Sequence, residues 1–480
     1  MKLSKNSLNA IRNRFQDPVT CFYAFAAFFV ILFFTGGGSR DDIQSLIVLR
    51  PLSALFCAYA VTVKATEQWN GRVFPLYAVG AFIILMVLQL IPLPPSIWTS
   101  LPGRQIFADI AIIAGIDQPW RPLSLSPSKT LNTLFSLTVP MAAVMLYLNL
   151  NQEYRNRAIT VIMVLCVVSA FWSVLQLAGP SRSPLYLYQI TNFGNGVGLF
   201  ANRNHQAVML TSTIVMLGWY AASQRPRAKL ASLKFYASVA AIFVLIPLIF
   251  VTGSRAGLLL MVPGVAFALF FIYVGPYAAE NLSRKIRSNK QQALRLAPRQ
   301  VFLSLGVLTV AGIAALSVLL SRSLAYDRLF GGNGLSEQRI EVLPTLFKMI
   351  HDYMPWGSGF GSFEHVYKIY EPLELLSPRY LNQAHNDWLQ YAIEGGIAAL
   401  LIAAVVFIWF LKRLKDLAEN WNHSKHSKYR AIMSIAVLLI FLAASIIDYP
   451  LRVPSLIAIF VVMSCIFNDS VRAVQLSATK

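Results

Sequence analysis

The stretch Gln383–Arg413, QAHNDWLQYAIEGGIAALLIAAVVFIWFLKR, places an imidazole, an amide and a carboxylate at the head of a long apolar run. Crossing about 30 Å of hydrocarbon takes roughly 17 to 25 predominantly apolar residues, so this run reads as an uninterrupted membrane helix over 387–411. Residues three and four apart share a helix face, which puts His385, Trp388, Leu389 and Ala392 on one stripe. Gly395, Ala399 and Ala403 form a second stripe of small side chains, the kind of row that lets membrane helices pack closely. A packed helix below His385 would hold its imidazole rigidly.

The same reading extends outward along the chain. Of 480 residues, 56% are hydrophobic and only 13% charged, and the mean hydropathy is +0.57. A water-soluble domain of this size rarely shows that balance, so the fold class is all-α integral membrane. About twelve apolar runs are long enough to span. They fall at 19–35, 43–63, 75–92, 130–149, 158–178, 206–221, 235–251, 256–274, 301–320, 387–411, 431–447 and 454–468. With a cytoplasmic N-terminus, about 26 of the 41 Lys and Arg lie on the cytoplasmic side. They cluster in MKLSKNSLNAIRNR, SQRPRAKLASLK, SRKIRSNKQQALRLAPR and LKRLKDLAENWNHSKHSKYR. Both termini are therefore expected to be cytoplasmic. The net charge of +20 is accounted for by orientation and by contact with anionic membrane lipids, with no nucleic-acid partner. The first apolar run exceeds the core of a cleaved signal and reads as a retained anchor. Cys21, Cys57, Cys166 and Cys465 all lie inside spans without metal-type spacing, so neither disulfides nor a bound metal is expected.

The outward segments carry the chemistry. Residues 93–128 contain LPPSIWTSLPGRQ and QPWRPLSLSPSKT, whose Pro and Trp suit irregular structure at headgroup level. The segment 322–384, about sixty residues, is too long for a passive connection between the ninth and tenth spans. Within it, LSEQRIEVLPTLFKMIHDYMPW has helical apolar spacing and GSGFGSF follows as a Gly-rich turn. Positive-inside bias opposes outward arginines, yet Arg203, Arg255, Arg339 and Arg452 stand at or near the mouths of spans. Singly, each reads equally as snorkelling or a local salt bridge. Together, several guanidinium groups facing one vestibule would suit a diphosphate, because Arg offers a permanently charged planar fork to phosphate oxygens. His205 and His385 each immediately precede a span, and a neutral imidazole, with an ordinary pKa of about 6.5, is suited to act as a general base. A hydrogen-bonded structural His at a helix start is the competing reading, and Asn386 and Asp387 would serve as helix caps without any chemistry.

Taken in order, these segments resemble the bacterial O-antigen ligases and the related O-antigen and exopolysaccharide polymerases. HNDWLQYAIEGG resembles the family's pattern of His, Asn or similar, nine residues and Gly, running from His385 through Asn386 to Gly396. SRAGLLL looks like its Ser-Arg motif with a Leu four positions after Arg255, and FANRNHQA looks like the segment before a mid-chain span. SEQRIEVLPTLFKMIHDYMPWGSGFGSFEH is similar to its large periplasmic loop, and IIDYPLRVPS to the connection between its last two spans. The resemblance covers roughly residues 90–460, with a ligase-like core at 206–411 in a single polytopic domain, 1–480. The sequence departs from the family in two ways: polar positions in 322–384 match no single acceptor class, and no second Arg adjoins Arg255.

The resemblance implies a GT-C-like glycosyltransferase of the bacterial inner membrane, needing no cofactor. It would move a glycan from undecaprenyl diphosphate to an acceptor hydroxyl at the periplasmic face, with inversion and without a metal. His385 would be the base; Arg203, Arg255 and Arg339 would hold the diphosphate; His205, Asn386, Asp387, Asp448 and Arg452 would support them. A ligase would hand the glycan to lipid A-core, whereas a polymerase would hand it to a growing carrier-linked polysaccharide, and both readings stay open. The Ser-Arg and His-Asn motifs lean toward the ligase. From other classes, a transporter or flippase also has about twelve spans, but the halves show no repeat and ionisable residues within spans are scarce, Arg50 before Pro51 being the main one. A structural scaffold would leave the outer Arg and His replaceable.

Overall fold

The computed structural model describes residues 16–64, 66–224, 230–274, 340–376 and 381–478. In chain order the main helices are α1 (Pro18–Thr35), α2 (Leu46–Thr62), α3 (Phe74–Leu90), α4 (Gln105–Ile113), α5 (Pro127–Ser136), α6 (Thr138–Leu148), α7 (Gln152–Ala178), α8 (Arg203–Ala222), α9 (Ala231–Val251), α10 (Arg255–Val274), α11 (Leu343–Tyr353), α12 (Phe363–Tyr370), α13 (Asp387–Glu419), α14 (Lys425–Ile447) and α15 (Pro454–Ala478). Among the described residues one short antiparallel pair, β1 (Pro92–Leu93) with β2 (Arg121–Pro122), ties the start of the 93–128 segment to its later part. The protein is thus a predominantly helical membrane protein.

Among the described residues, eight helical stretches are long and apolar enough to cross a membrane: α1, α5 with α6, α7, α9, α10, α13, α14 and α15. The apolar helices α2 and α3 are shorter, at 17 residues each. The span expected at 206–221 is α8, whose run of Arg203, Asn204, His205, Gln206, Thr211, Ser212 and Thr213 keeps it outside the eight. Its polarity is hidden by packing, since all but three of its twenty residues are buried. The span expected at 301–320 lies outside the described residues, as do 322–339 of the expected large loop.

The chain divides into two compact units, residues 1–154, 334–418 and 445–465 in one, and residues 155–333, 419–444 and 466–480 in the other. In the first unit α2 packs on α6, with α1 beside both, and α3 packs on α5. The face of α1 toward this core is aromatic, with Phe25, Phe28, Phe29 and Phe33 buried and Phe28 edge-on to Phe56. Outside this helical layer, α11 and α12 share a core of Val342, Leu346, Met349, Tyr353, Phe363, Val366 and Tyr367. The spacing 342, 346, 349, 353 is one apolar helix stripe, which is why the helical reading of that stretch succeeds. In the second unit, α8 packs on α9 and α10. Small residues set its approach to α10: a Cβ on Gly257 would lie 2.4 Å from Ala207 Cβ, and one on Gly264 would lie 2.6 Å from Thr211 Cγ2.

The helix that follows His385 is not uninterrupted, as its apolar run suggests. Gly396 breaks it with φ 57° and ψ −152°. The chain at 355–359 docks into the opening: Ile397 N donates to Pro355 O (2.8 Å), Ser358 N to Ile393 O (2.9 Å) and Gly359 N to Glu394 O (2.9 Å). A side chain at 396 would collide, since its Cβ would stand 2.2 Å from Pro355 O. Arg104 fastens the other side of this turn. Its Nη2 donates to Leu123 O (2.7 Å) and Gly357 O (3.0 Å), and its guanidinium lies over the Tyr353 ring. Burial lowers the Arg104 pKa to about 10, yet it stays cationic because the reference value lies so far above neutrality.

Candidate active site

His385 stands two residues before α13, after Gln383 and Ala384, with φ 50°. The left-handed region is strained for most side chains, though His tolerates it better than bulkier residues. Because the backbone turns here, His385 does not continue a helix stripe with Trp388 and Ala392: Trp388 is exposed and Ala392 buried. The turn aims the ring at the connection between α14 and α15, where His385 Nδ1 meets Asp448 Oδ1 at 3.1 Å. The ring also lies 4.8 Å from that of Tyr449. Asp448 is 2% exposed and its Oδ1 also accepts from Tyr449 N at 3.0 Å. A carboxylate on Nδ1 fixes the neutral ring with its proton on that nitrogen, leaving Nε2 as the acceptor.

Asn386 caps α13, its Oδ1 accepting from Leu389 N (3.0 Å), while its Nδ2 donates to Ile446 O (2.9 Å). One end of this residue therefore starts the helix and the other ties it to the stretch of chain that carries Asp448. Asp387 is fully buried. Its Oδ2 accepts from Ser445 Oγ (3.0 Å) and Leu451 N (3.2 Å), and its Oδ1 lies 3.4 Å from Arg452 Nε. Arg452 continues the network through Nη2 to Glu394 Oε2 at 2.9 Å and sits over the Tyr391 ring. Glu394 Oε1 accepts from Gln390 Nε2 (3.0 Å) and Phe363 N (3.3 Å). Burial works to lower the Arg452 pKa, but the Glu394 and Asp387 carboxylates outweigh it and hold the guanidinium above its ordinary range. A desolvated ion pair needs hydrogen bonds as well as charge to be retained; here Asp387 Oδ2 and Arg452 Nη2 have them, while Asp387 Oδ1 and Arg452 Nε face each other at 3.4 Å without one.

The structure thus gathers His385, Asn386, Asp387, Asp448 and Arg452 in the first unit. Arg203, His205 and Arg255 belong to the second. There Arg203 opens α8, with its N donating to Asn192 Oδ1 (3.0 Å) and its Nη1 lying 3.6 Å from where a Cβ on Gly253 would stand. The Arg203 guanidinium therefore borders the turn that leads into Arg255. Ser254 caps that helix, its Oγ accepting from Gly257 N at 3.0 Å. His205 is buried in α8 and Arg255 is exposed. Arg339 lies outside the described residues.

Glu394, Gln390 and Gln89 are the residues that sequence reading passed over. Asp387, Gln390, Tyr391 and Glu394 occupy positions i, i+3, i+4 and i+7, one polar stripe in an otherwise apolar helix, and that spacing was the available signal. Gln89 donates through Nε2 to Glu394 O (3.0 Å) and accepts from Phe360 N (3.0 Å), joining α3 to the kink. Among the described residues no three His, Cys, Asp or Glu side chains gather as a metal site, and none of the four cysteines is in a disulfide.

Compared with known proteins, the chain matches none of the curated proteins searched. Residues 239–404 match the family model described as O-antigen ligase. That segment includes Arg255, His385, Asn386, Asp387 and Glu394. The match covers 166 of the 480 residues and supports a likeness between this multi-pass membrane protein and the O-antigen ligases.

Proposed function

We propose that the protein transfers a glycan from an undecaprenyl diphosphate carrier to an acceptor hydroxyl at the periplasmic face of the bacterial inner membrane, acting as an O-antigen ligase on lipid A-core. The observation that carries this reading is the His385–Asp448 pair at the head of α13, whose imidazole lies in the segment matching the ligase family. With Nδ1 facing Asp448, His385 Nε2 takes the proton of the acceptor hydroxyl. The freed oxygen attacks the anomeric carbon from the side opposite the diphosphate, the bond from that carbon to the carrier oxygen breaks, and the carrier leaves as its diphosphate. The configuration inverts. Asp448 is a positioning residue in this scheme: it holds the ring and stabilises the imidazolium once formed.

Arg203, Arg255 and Arg339 are assigned to the diphosphate, with His205 supporting them, and 206–411 is the catalytic core. The border that Arg203 shares with the turn before Arg255 supports grouping the first two. Cations at a leaving oxygen count most as its charge develops, which is the role that a divalent ion plays in many diphosphate departures and that these arginines are assigned here. The 322–384 segment is assigned to the periplasm and both termini to the cytoplasm. Deleting the gene is the test: full-length carrier-linked polymer accumulating unattached is the expected result. Accumulation of single repeats would contradict the ligase and favour a repeat-unit polymerase.

A further inference from the structure

A cavity of ≈ 140 Å³ opens in the first unit, lined by residues of α2, α5, α13, the start of α12 and the chain at 451–457. Four cations line it, Arg40, Arg50, Lys129 and Arg452, with three carboxylates, Asp41, Glu364 and Glu394. Most of this charge is already matched. Arg40 pairs with Asp42 at 2.8 Å, Lys129 with Asp41, Arg452 with Glu394 at 2.9 Å, and Glu364 with Lys368 at 3.2 Å. Arg50 differs. Its Nη2 donates to Ser136 Oγ at 2.9 Å and its Nη1 to Asn132 Oδ1, both neutral oxygens, and its Nε is buried without an acceptor. Among the described residues no carboxylate forms an ion pair with it.

The Asp41 charge reaches Arg50 but is itself paired with Lys129, and a guanidinium in an apolar helix whose hydrogen-bond partners are an amide and a hydroxyl is costly to retain for packing alone. The space beside it is adequate for a counter-ion. Its volume is about tenfold the roughly 10–15 Å³ that a cavity needs to admit one water, which leaves room for a phosphoryl group. The cavity also reaches the catalytic neighbourhood, since Gln383 and Arg452, which flank His385 and Asp448 in sequence, line it too. A neutral sugar would leave the Arg50 charge unmatched, whereas a phosphate would balance it with charge-assisted hydrogen bonds.

We propose that this cavity binds a phosphate group of the substrate, with Arg50 as its anchoring cation and Asn132 and Ser136 holding the guanidinium in place. The inference rests on the glycosyltransfer reading and narrows its substrates to those that bring a phosphate here, either on the carrier diphosphate or on the acceptor saccharide.

Binding of farnesyl diphosphate and of glucose 6-phosphate to the purified full-length protein in detergent tests this without requiring turnover. Wild type is expected to bind at least one, and Arg50→Gln to bind that one about tenfold or more weakly, with Arg50→Lys in between. Loss confined to farnesyl diphosphate assigns the carrier as the source; loss confined to glucose 6-phosphate assigns the acceptor. Asn132→Asp gives Arg50 a carboxylate of its own at nearly unchanged shape, and is expected to weaken the same binding should Arg50→Gln fail to fold. Wild type binding neither probe, or folded variants binding as wild type does, would overturn the proposal. A His385→Ala protein is expected to keep this binding, so failure of the base assignment and failure of the cavity assignment read out separately.

Discussion

His385 owes its place to three contacts made by its neighbours more than to any of its own. Asn386 starts the helix and grips Ile446 O, Asp387 accepts from Ser445 and Leu451, and between these two anchors Asp448 comes within 3.1 Å of the ring. Asp448→Asn keeps the shape but loses the charge that favours the productive tautomer and the imidazolium. It is expected to lower kcat by roughly 10²-fold with KM little changed; steady-state kinetics showing an unaltered kcat would strip Asp448 of its positioning role. Glu394→Ala leaves the Arg452 guanidinium buried with one carboxylate at 3.4 Å, which predicts a loss on the order of 3–5 kcal/mol. Thermal unfolding in detergent at wild-type temperature would show that the pair is not a structural element. The polar residues at the helix head were legible because they interrupt the start of an apolar run. Glu394 was not, because the apolar and small residues around it outweigh one carboxylate in any reading by average polarity, and its partner Arg452 lies 58 residues away.

At the scale of elements, the Gly395–Gly396 pair illustrates where local rules mislead. Gly395 reads as tight helix packing and does face the Phe360 ring. Gly396 acts differently, because its positive φ opens α13 for the 355–359 turn, which repairs the broken helix hydrogen bonds from outside. Nothing within the run itself announces this, since the partner is a separate Gly-rich turn whose docking depends on Arg104 and Gln89. Gly396→Ala therefore combines an unfavourable backbone region with a 2.2 Å collision. A destabilisation of at least about 1–3 kcal/mol is expected, together with faster amide exchange at Ser358 and Gly359. Unchanged exchange at both would mean that the kink does not hold the turn. By contrast, α11 was readable from its stripe at 342, 346, 349 and 353, which specifies a helix whatever it packs against, although the helix ends at Tyr353, short of the stretch read.

For the whole molecule, composition settles the membrane class, but counting spans by apolar length meets its limit at α8. That helix hides polar side chains inside protein, so its apolar content understates how deeply it is buried. The division of the candidate residues between two units was likewise beyond sequence reading, since α14 and α15 each contribute to both. The claim that joins these parts is transfer by His385 from a diphosphate-linked donor without a divalent ion. It is tested most directly by incubating purified protein, in EDTA, with undecaprenyl diphosphate-linked glycan and lipid A-core and measuring product formation. The expected result is full activity for wild type and a loss of about 10²–10⁴-fold for His385→Ala with its fold intact. Activity abolished by EDTA in the wild type, or a His385→Ala protein as active as wild type, would contradict it.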